Sequence, residues 1–424
     1  MTIKRTSFAE KKTFNLDYKP KMRYDIEAVP AKTDDGTLLY GLKDIVDQRE
    51  KFLWLPQDMF YLLQFFDGRH SRADIKAEYM RKFGDFLFDE NYVRLLQRLD
   101  EYYFLDNDRS RKRMQNLTIA YRQLPHRAPI SAGNSYPAEP DALADKLDTL
   151  VDLATTQRNG AAVNLDGSAI KAVVVPHIDI RLGGTTYAHA YRLLAQSTPA
   201  DLYVILGIGH QGIPNLFSLT SQDFETPLGM VRTDKSLVEE ISARSDFDFL
   251  KNELAHRDEH SIEFQTIFLK HFIQSDFKIL PVLCSFSHSI FSRPKSAALE
   301  KFKAFIRVLK SMLSRYPGTV TIIASVDFSH VGTKYGDLRP PSPSFLAQVE
   351  RSDRDVIDAL VQFDQQQFQQ KFLANDNQYR ICGYSALTTM LELVSPSHSY
   401  FLDYNSAVMD EQRSRVTFAS LIFT

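Results

Sequence analysis

The chain has 424 residues, 44% hydrophobic and 25% charged, enough to bury a sizeable core and to divide into two domains, and its net charge of −2 argues against a broad nucleic-acid surface. No apolar stretch approaches the roughly 18 residues that span a bilayer, and the start MTIKRTSFAEKKTFNLDYKP lacks the apolar core of a signal peptide, so a cytoplasmic chain without membrane contact is expected. Only Cys284 and Cys382 occur, which excludes a disulfide framework and suits a reducing compartment where a thiol stays free as ligand or nucleophile.

In chain order, residues 1–37 are polar and read as an extended arm. From Leu38 the pattern changes: YGLKDIV and REKFLWLP read as strands, and QDMFYLLQFF as a helix that stops at Asp67–Gly68. Ser71 is placed as the N-cap of a second helix ending at Gly84, ENYVRLLQRLDEYY as a third, and YFLD as a closing strand. Two strands, three helices and a strand make 38–106 a small winged-helix-like α+β domain. Residues 107–125 read as a charged helical connector whose basic run, Arg109 to Arg113, is a solvated face rather than a phosphate-binding patch. Pro125, Pro129 and Pro137 mark a boundary, and 126–424 reads as an α/β domain, a central mixed sheet covered by helices. Its strands are expected at 171–176, 202–207, 216–220, 229–232, 278–284, 320–326, 400–404 and 416–422.

Four short motifs carry chemistry: PHIDI at 176–180, GIGHQG at 207–212, VDFSHVG at 326–332 and ICGYS at 381–385. The first three follow runs read as buried parallel strands, and ligands in open α/β sheets bind at the carboxyl ends of such strands. His177, His210 and His330 are therefore expected to converge, with Cys382 as a fourth member. Two imidazoles and a thiolate with an open position suit iron(II), copper(I) or zinc rather than magnesium or calcium. The residues alone leave a second reading, in which Cys382 is a buried small hydrophobe and the histidines are unrelated. Asp327, three residues before His330, is placed to orient that imidazole as a general acid or base, or simply to cap the turn. In DEHSIEFQ, acidic residues crowd a helix start, and His260 and Glu263 are read as a polar wall of the crevice.

Two resemblances add to this. FFDGRHSRADI and LLQRLDEYYFLDND resemble the PqqD-like domain, which implies a winged helix that binds a peptide or a partner. From 126 to 424 the stretches SAGNSYPA, PHIDIRLGGTTYAHAY, ILGIGHQG, TPLGMVRTD, DEHSIEFQ, ILPVL, SVDFSHVG, ICGYSAL and FLDY resemble, in order and spacing, the Memo family, whose bacterial and archaeal members are called protein B of the AmmeMemoRadiSam system. That resemblance implies a fold similar to class III extradiol dioxygenases, with His177, His210 and Cys382 as metal ligands, iron(II) or copper(I) as the metal, and His330 with Asp327 nearby as the catalytic group. It also implies radical-SAM and other partner proteins of that system. The chain departs from the family where many members read PHAGY and carry a His-His pair: here stand Ile178-Asp179-Ile180 and His210-Gln211, so Asp179 and Gln211 are placed in the pocket. Three functions stay open: a metal-dependent, dioxygenase-like oxidoreductase, a module capturing a peptide or protein terminus, or a metal-handling protein.

Overall fold

The computed structural model describes residues 14–424 apart from 16, 47–51, 157–168 and 294. The chain forms two units, dividing between Gln123 and Leu124.

In the first unit, β1 (Ile26–Lys32), β2 (Leu38–Asp44) and β3 (Leu53–Pro56) form an antiparallel sheet in that order, followed by α1 (Gln57–Leu62), α2 (Arg72–Phe83), α3 (Asp89–Glu101) and α4 (Asp108–Arg122). Period-2 alternation sends Leu53 and Leu55 inward, onto Leu62, Ile75, Leu96 and Leu99, while Trp54 stays exposed. Ser71 caps α2 in a reciprocal capping box with Asp74, and left-handed Gly84 ends it, as its sequence predicts.

Three expectations change here. The arm expected over 1–37 is a strand from Ile26 to Lys32, paired along β2; residues 1–13 and 16 of it lie outside the described residues, as do Arg49 to Lys51 of the expected strand REKFLWLP. IEAVPAK mixes apolar and polar residues without alternation and is mostly exposed along an edge, so no period marks it as a strand, and Pro30 is tolerated there. YFLD contributes only an isolated bridge between Leu105 and Met22. The connector helix is α4, which belongs to the first unit: Asn107 caps it, and Arg109 pairs with the buried Asp100 at 2.9 Å.

The second unit contains α5 (Pro140–Thr156), β4 (Ala172–Val175), α6 (Ile180–Gln196), β5 (Leu202–Ile208), β6 (Phe217–Leu219), β7 (Phe224–Thr226), β8 (Gly229–Thr233), α7 (Lys235–Ala243), α8 (His260–Phe272), β9 (Lys278–Cys284) and α9 (Ala297–Leu313). It continues with β10 (Val320–Ser325), β11 (His330–Val331), α10 (Pro343–Val361), α11 (Gln365–Asn375), α12 (Tyr384–Leu393), β12 (Ser399–Val408) and β13 (Arg415–Phe423). The strands form one mixed ten-stranded sheet ordered β11-β13-β4-β10-β5-β9-β8-β7, with β12 on β13 and β6 on β9. Its centre, β4, β10, β5 and β9, is parallel. Both faces are covered, which is why these strands read as unbroken apolar runs. Along β5, Leu202, Val204 and Leu206 join the layer with α7, α9, α10, α11 and α12, while Tyr203 and Ile205 join the layer with α5, α6 and α8.

Every strand expected in this domain is present within a few residues. β7 and β11 were not expected, being too short for any periodicity to show. No helix of the described residues is long and apolar enough to cross a membrane.

Candidate metal centre

The parallel centre of the sheet brings three motifs to one edge. β4, β10 and β5 are adjacent, and their carboxyl ends lead into His177, Asp327 and His210. Cys382 arrives from the other direction, one residue before Gly383, the N-cap of α12. A Cβ on Gly383 would lie 2.7 Å from Val326 Cβ and 3.1 Å from the Asp327 carbonyl oxygen, so only glycine lets this helix start approach the end of β10.

His177 is 2% exposed. Its Nδ1 lies 2.9 Å from the Ser325 carbonyl oxygen, which can only accept, so Nδ1 carries a hydrogen and Nε2 is the atom that faces Cys382 Sγ, at 3.4 Å. His210 is anchored in the same way by a carboxylate: its Nδ1 donates to Glu259 Oε2 at 2.9 Å, and its backbone N–H donates to the same oxygen at 3.3 Å. The ligand atoms of His177, His210 and Cys382 all lie within 4.8 Å of one another. Two imidazoles with Nδ1 tied to acceptors and a thiol between them meet the donor, tautomer and anchoring requirements of a three-ligand site for a borderline or soft metal.

The electrostatics agree with the geometry. Burial alone would push the Cys382 thiol up, but the charge of His177, hydrogen bonds from His177 and His210 and the charge of His330 pull it down to about 6. Burial would pull the His177 imidazole down, but Asp327 and the Cys382 thiolate raise it to about 9. His210 is raised well above its ordinary value: Glu259 and Cys382 outweigh its burial. Glu259 itself, 4% exposed, would be pushed up by burial, but His210 and His260 hold it well below the usual carboxylate range.

The other expected residues divide. His260 belongs to the cluster, its ring stacked on His210 at 5.4 Å and edge-on to His177 at 5.5 Å; burial, reinforced by those imidazoles, lowers it to about 4 against the pull of Glu259. His210, Glu259 and His260 also bring ligand atoms within 4.8 Å of one another, but Glu259 already accepts from His210 Nδ1 and from the Ser261 N–H, so it anchors an imidazole rather than opening a second metal position. Gln211 follows His210 on the same loop and is half-buried.

Asp327 is at the centre but does not orient His330. Its Oδ1 accepts the backbone N–H groups of His177 and Ile178 at 3.0 and 3.2 Å, and its Oδ2 lies 3.6 Å from His177 Nε2. The adjacency of parallel β4 and β10 puts it beside His177, whereas His330 Nδ1 faces the carbonyls of Phe328 and Arg380 at 3.0 and 3.1 Å. Glu263 is likewise not spent on the crevice: Arg127, Tyr136 Oη and the backbone N–H groups of Ile130 and Ser131 occupy its carboxylate. One helical turn from His260, it faces the segment that opens the domain. Asp179 caps α6 and pairs with Arg181, because it ends the loop just as the helix begins.

Three residues escaped the sequence reading. Arg127, 1% exposed, donates from Nη2 to the Glu259 carbonyl at 2.8 Å and from Nε to the His256 carbonyl at 3.0 Å, fixing the turn that carries Glu259. Tyr335 stands edge-on to His330 with ring centroids 5.1 Å apart, its phenol pushed up to about 12 by burial and by the charges of Asp327, Asp410 and Cys382. Asp353, wholly buried on α10, accepts from Ser329 Oγ and Thr417 Oγ1 at 2.6 Å and from Tyr404 Oη at 2.8 Å.

Residues 127–422 match the family model described as Memo-like protein. The chain belongs to the Memo family. It is similar to a MEMO1 family protein of Aquifex aeolicus, 28% identical over 409 residues that cover 96% of this chain and all of the relative. A MEMO1 family protein of Methanosarcina barkeri is 27% identical over 303 residues, 70% of this chain and 99% of the relative, and one of Methanobrevibacter smithii is 29% identical over 318 residues, again 70% and 99%. These two archaeal relatives are thus matched along nearly their whole length by 70% of this chain, whereas the match to the Aquifex protein runs over 96% of it.

Proposed function

We propose that this Memo protein is a metal-dependent redox enzyme with a dioxygenase-like site, in which His177, His210 and Cys382 hold non-haem iron(II) or copper(I), with zinc also accommodated. The observation that carries the reading is the convergence of three donor atoms within 4.8 Å, each imidazole presenting Nε2 because its Nδ1 is already bonded. Bound there, such an ion would supply a redox-active Lewis acid. The protein's own part is to keep Cys382 as thiolate, to fix the two imidazoles through Ser325 and Glu259, and to exclude water from the buried side of His177. His330, with Nδ1 bonded to carbonyls, offers Nε2 as the group that takes or gives a proton. Asp327 supports this by holding the His177 loop, not by touching His330. The partners proposed are the radical-SAM and other proteins of an AmmeMemoRadiSam system, with the first unit as their docking module.

Elemental analysis of protein purified without oxygen tests the site. Near-stoichiometric iron or copper, abolished by both His177→Ala and Cys382→Ser, is expected; no metal under any loading condition sinks the ligand assignment. His330→Ala should keep the metal and lose metal-dependent oxygen consumption by about 10²- to 10⁴-fold. Tight binding without turnover in the wild type would instead make the site a metal-handling one.

A further inference from the structure

His330 and Cys382 lie on different segments, the one from 326 to 332 that includes the short β11 and the loop 376–383, and nothing in the motif that carries either residue says how their relative placement is fixed. The second loop is unusual. Asp376, Asn377 and Arg380 all have left-handed backbones, with φ of 51°, 49° and 56°, a conformation that L side chains rarely hold without outside support. Asn377 supplies part of that support: its side-chain oxygen accepts the Ile381 N–H at 2.9 Å, and its amide donates to the Ile381 carbonyl at 3.0 Å.

Arg380 supplies the rest and directs it at His330. The left-handed turn points the Arg380 carbonyl at His330 Nδ1, 3.1 Å away, where it shares the ring hydrogen with the Phe328 carbonyl. The guanidinium reaches back and donates from Nη1 to the His330 carbonyl at 3.1 Å. Its Nη2 pairs with the Asp337 carboxylate, whose second oxygen accepts the Gly332 N–H at 2.6 Å. A further backbone bond, from His330 N–H to the Tyr379 carbonyl at 2.8 Å, closes the contact. His330 is thus gripped at ring, N–H and carbonyl by residues immediately before Cys382.

We propose that Arg380, anchored by Asp337, is a positioning residue that locks His330 in the Nδ1–H tautomer and ties it to the loop bearing Cys382, so that the Nε2 lone pair stays aimed at the site. The logic is one of acceptors: two carbonyls facing one ring nitrogen admit only a donor there, which leaves Nε2 as the basic atom. A histidine side chain free in water prefers the opposite tautomer, Nε2–H, so the protein must impose this one. Arg380 is suited to the task because a planar fork bonds a carboxylate and a carbonyl at once, which lysine does not reproduce. Its side chain is 37% exposed, so the residue is replaceable without opening the core.

This rests on the reading of His330 as the proton-moving group, but its test needs no turnover. In the full-length, metal-free chain labelled with 15N-histidine, the nitrogen shifts of the neutral ring, reached by following the spectrum to its high-pH limit, report the His330 tautomer, with His330→Ala used for assignment. The wild type should show only the Nδ1–H form. Arg380→Met and Asp337→Asn should admit the Nε2–H form to a comparable population, and Arg380→Lys should restore the wild-type form in part. Arg380→Gly, which keeps the left-handed turn free of strain, should behave as Arg380→Met does. Zinc, the probe for the ligand set, should still bind these variants within about threefold of wild type, well short of the roughly 10- to 100-fold loss caused by removing a ligand's own partner. An Nε2–H tautomer in the wild type, an unchanged tautomer in both Arg380→Met and Asp337→Asn, or loss of zinc in these variants overturns the proposal. An active His330→Ala protein would undo the functional reading and leave the tautomer result standing.

Discussion

Two cysteines end up at the edge of the same sheet with opposite chemistry. Cys284 is the last residue of β9, opposite Ile208 of β5, and its sulfur turns into the apolar layer, 3.9 Å from Thr389 Oγ1. Burial pushes its thiol up to about 12. Cys382 is also withdrawn from water, yet its thiol falls to about 6 because His177 Nε2 stands 3.4 Å away and His210 is in reach. Burial sets the cost of the charge in both; the neighbouring imidazoles decide its sign. A position near the carboxyl edge is therefore not sufficient for function. Both cysteines touch the same apolar layer, and what separates them is their neighbours: apolar side chains and Thr389 around Cys284, His177 beside Cys382.

The contrast breaks most sharply on metal content. Cys382→Ser and His177→Ala should each abolish stoichiometric iron or copper, whereas Cys284→Ser should retain it; a Cys284→Ser protein without metal would collapse the distinction. Glu259→Gln should weaken zinc binding by about 10- to 100-fold, because the amide no longer supplies a charged acceptor for His210 Nδ1. Competition against a chelator measures it.

Two pH experiments sharpen the comparison. At about pH 7 an alkylating reagent should modify Cys382 in the metal-free protein and leave Cys284 untouched until the chain unfolds, since only the thiolate reacts. With Cys382 near 6 and His177 near 9, thiolate and imidazolium coexist between those values. The depressed Cys382 contributes stability at high pH that is lost as pH falls through 6; the raised His177 contributes stability at low pH that is lost as pH rises through 9. Zinc must displace the protons of His177 and His210, both raised, so its affinity should climb with pH from 6 through at least 9. A flat profile would mean that His177 is already neutral. The smallest effect is expected from Cys284→Ala, about 1–2 kcal/mol of stability by denaturant unfolding, with metal content unchanged.

Much of this was legible in the chain. The runs KAVVV, LYVIL and VTIIAS read as parallel strands because both faces are buried, and the strand-end rule pointed to His177, His210 and His330; the strand ends themselves lead into His177, His210 and Asp327. Cys382 was singled out by its motif as a fourth member, but the polar stretch before it gives no strand to follow, and only the family resemblance chose between a ligand and a buried small hydrophobe. The strand Ile26–Lys32 was not legible, because an exposed edge need not be apolar.

What the sequence determined is thus the composition of the site: which residue types stand after which strands. Tertiary structure alone decided what each of them does. Asp327 is three residues from His330 in the chain but beside His177 in space, because the register of β4 against β10 sets which backbone N–H groups its carboxylate meets. Glu259 rather than Glu263 serves the imidazoles, because one helical turn separates a side chain facing His210 from one facing Arg127. Roles such as these depend on which donor meets which acceptor within about 3 Å, a distance fixed by packing between segments 49 to 150 residues apart and by no local pattern.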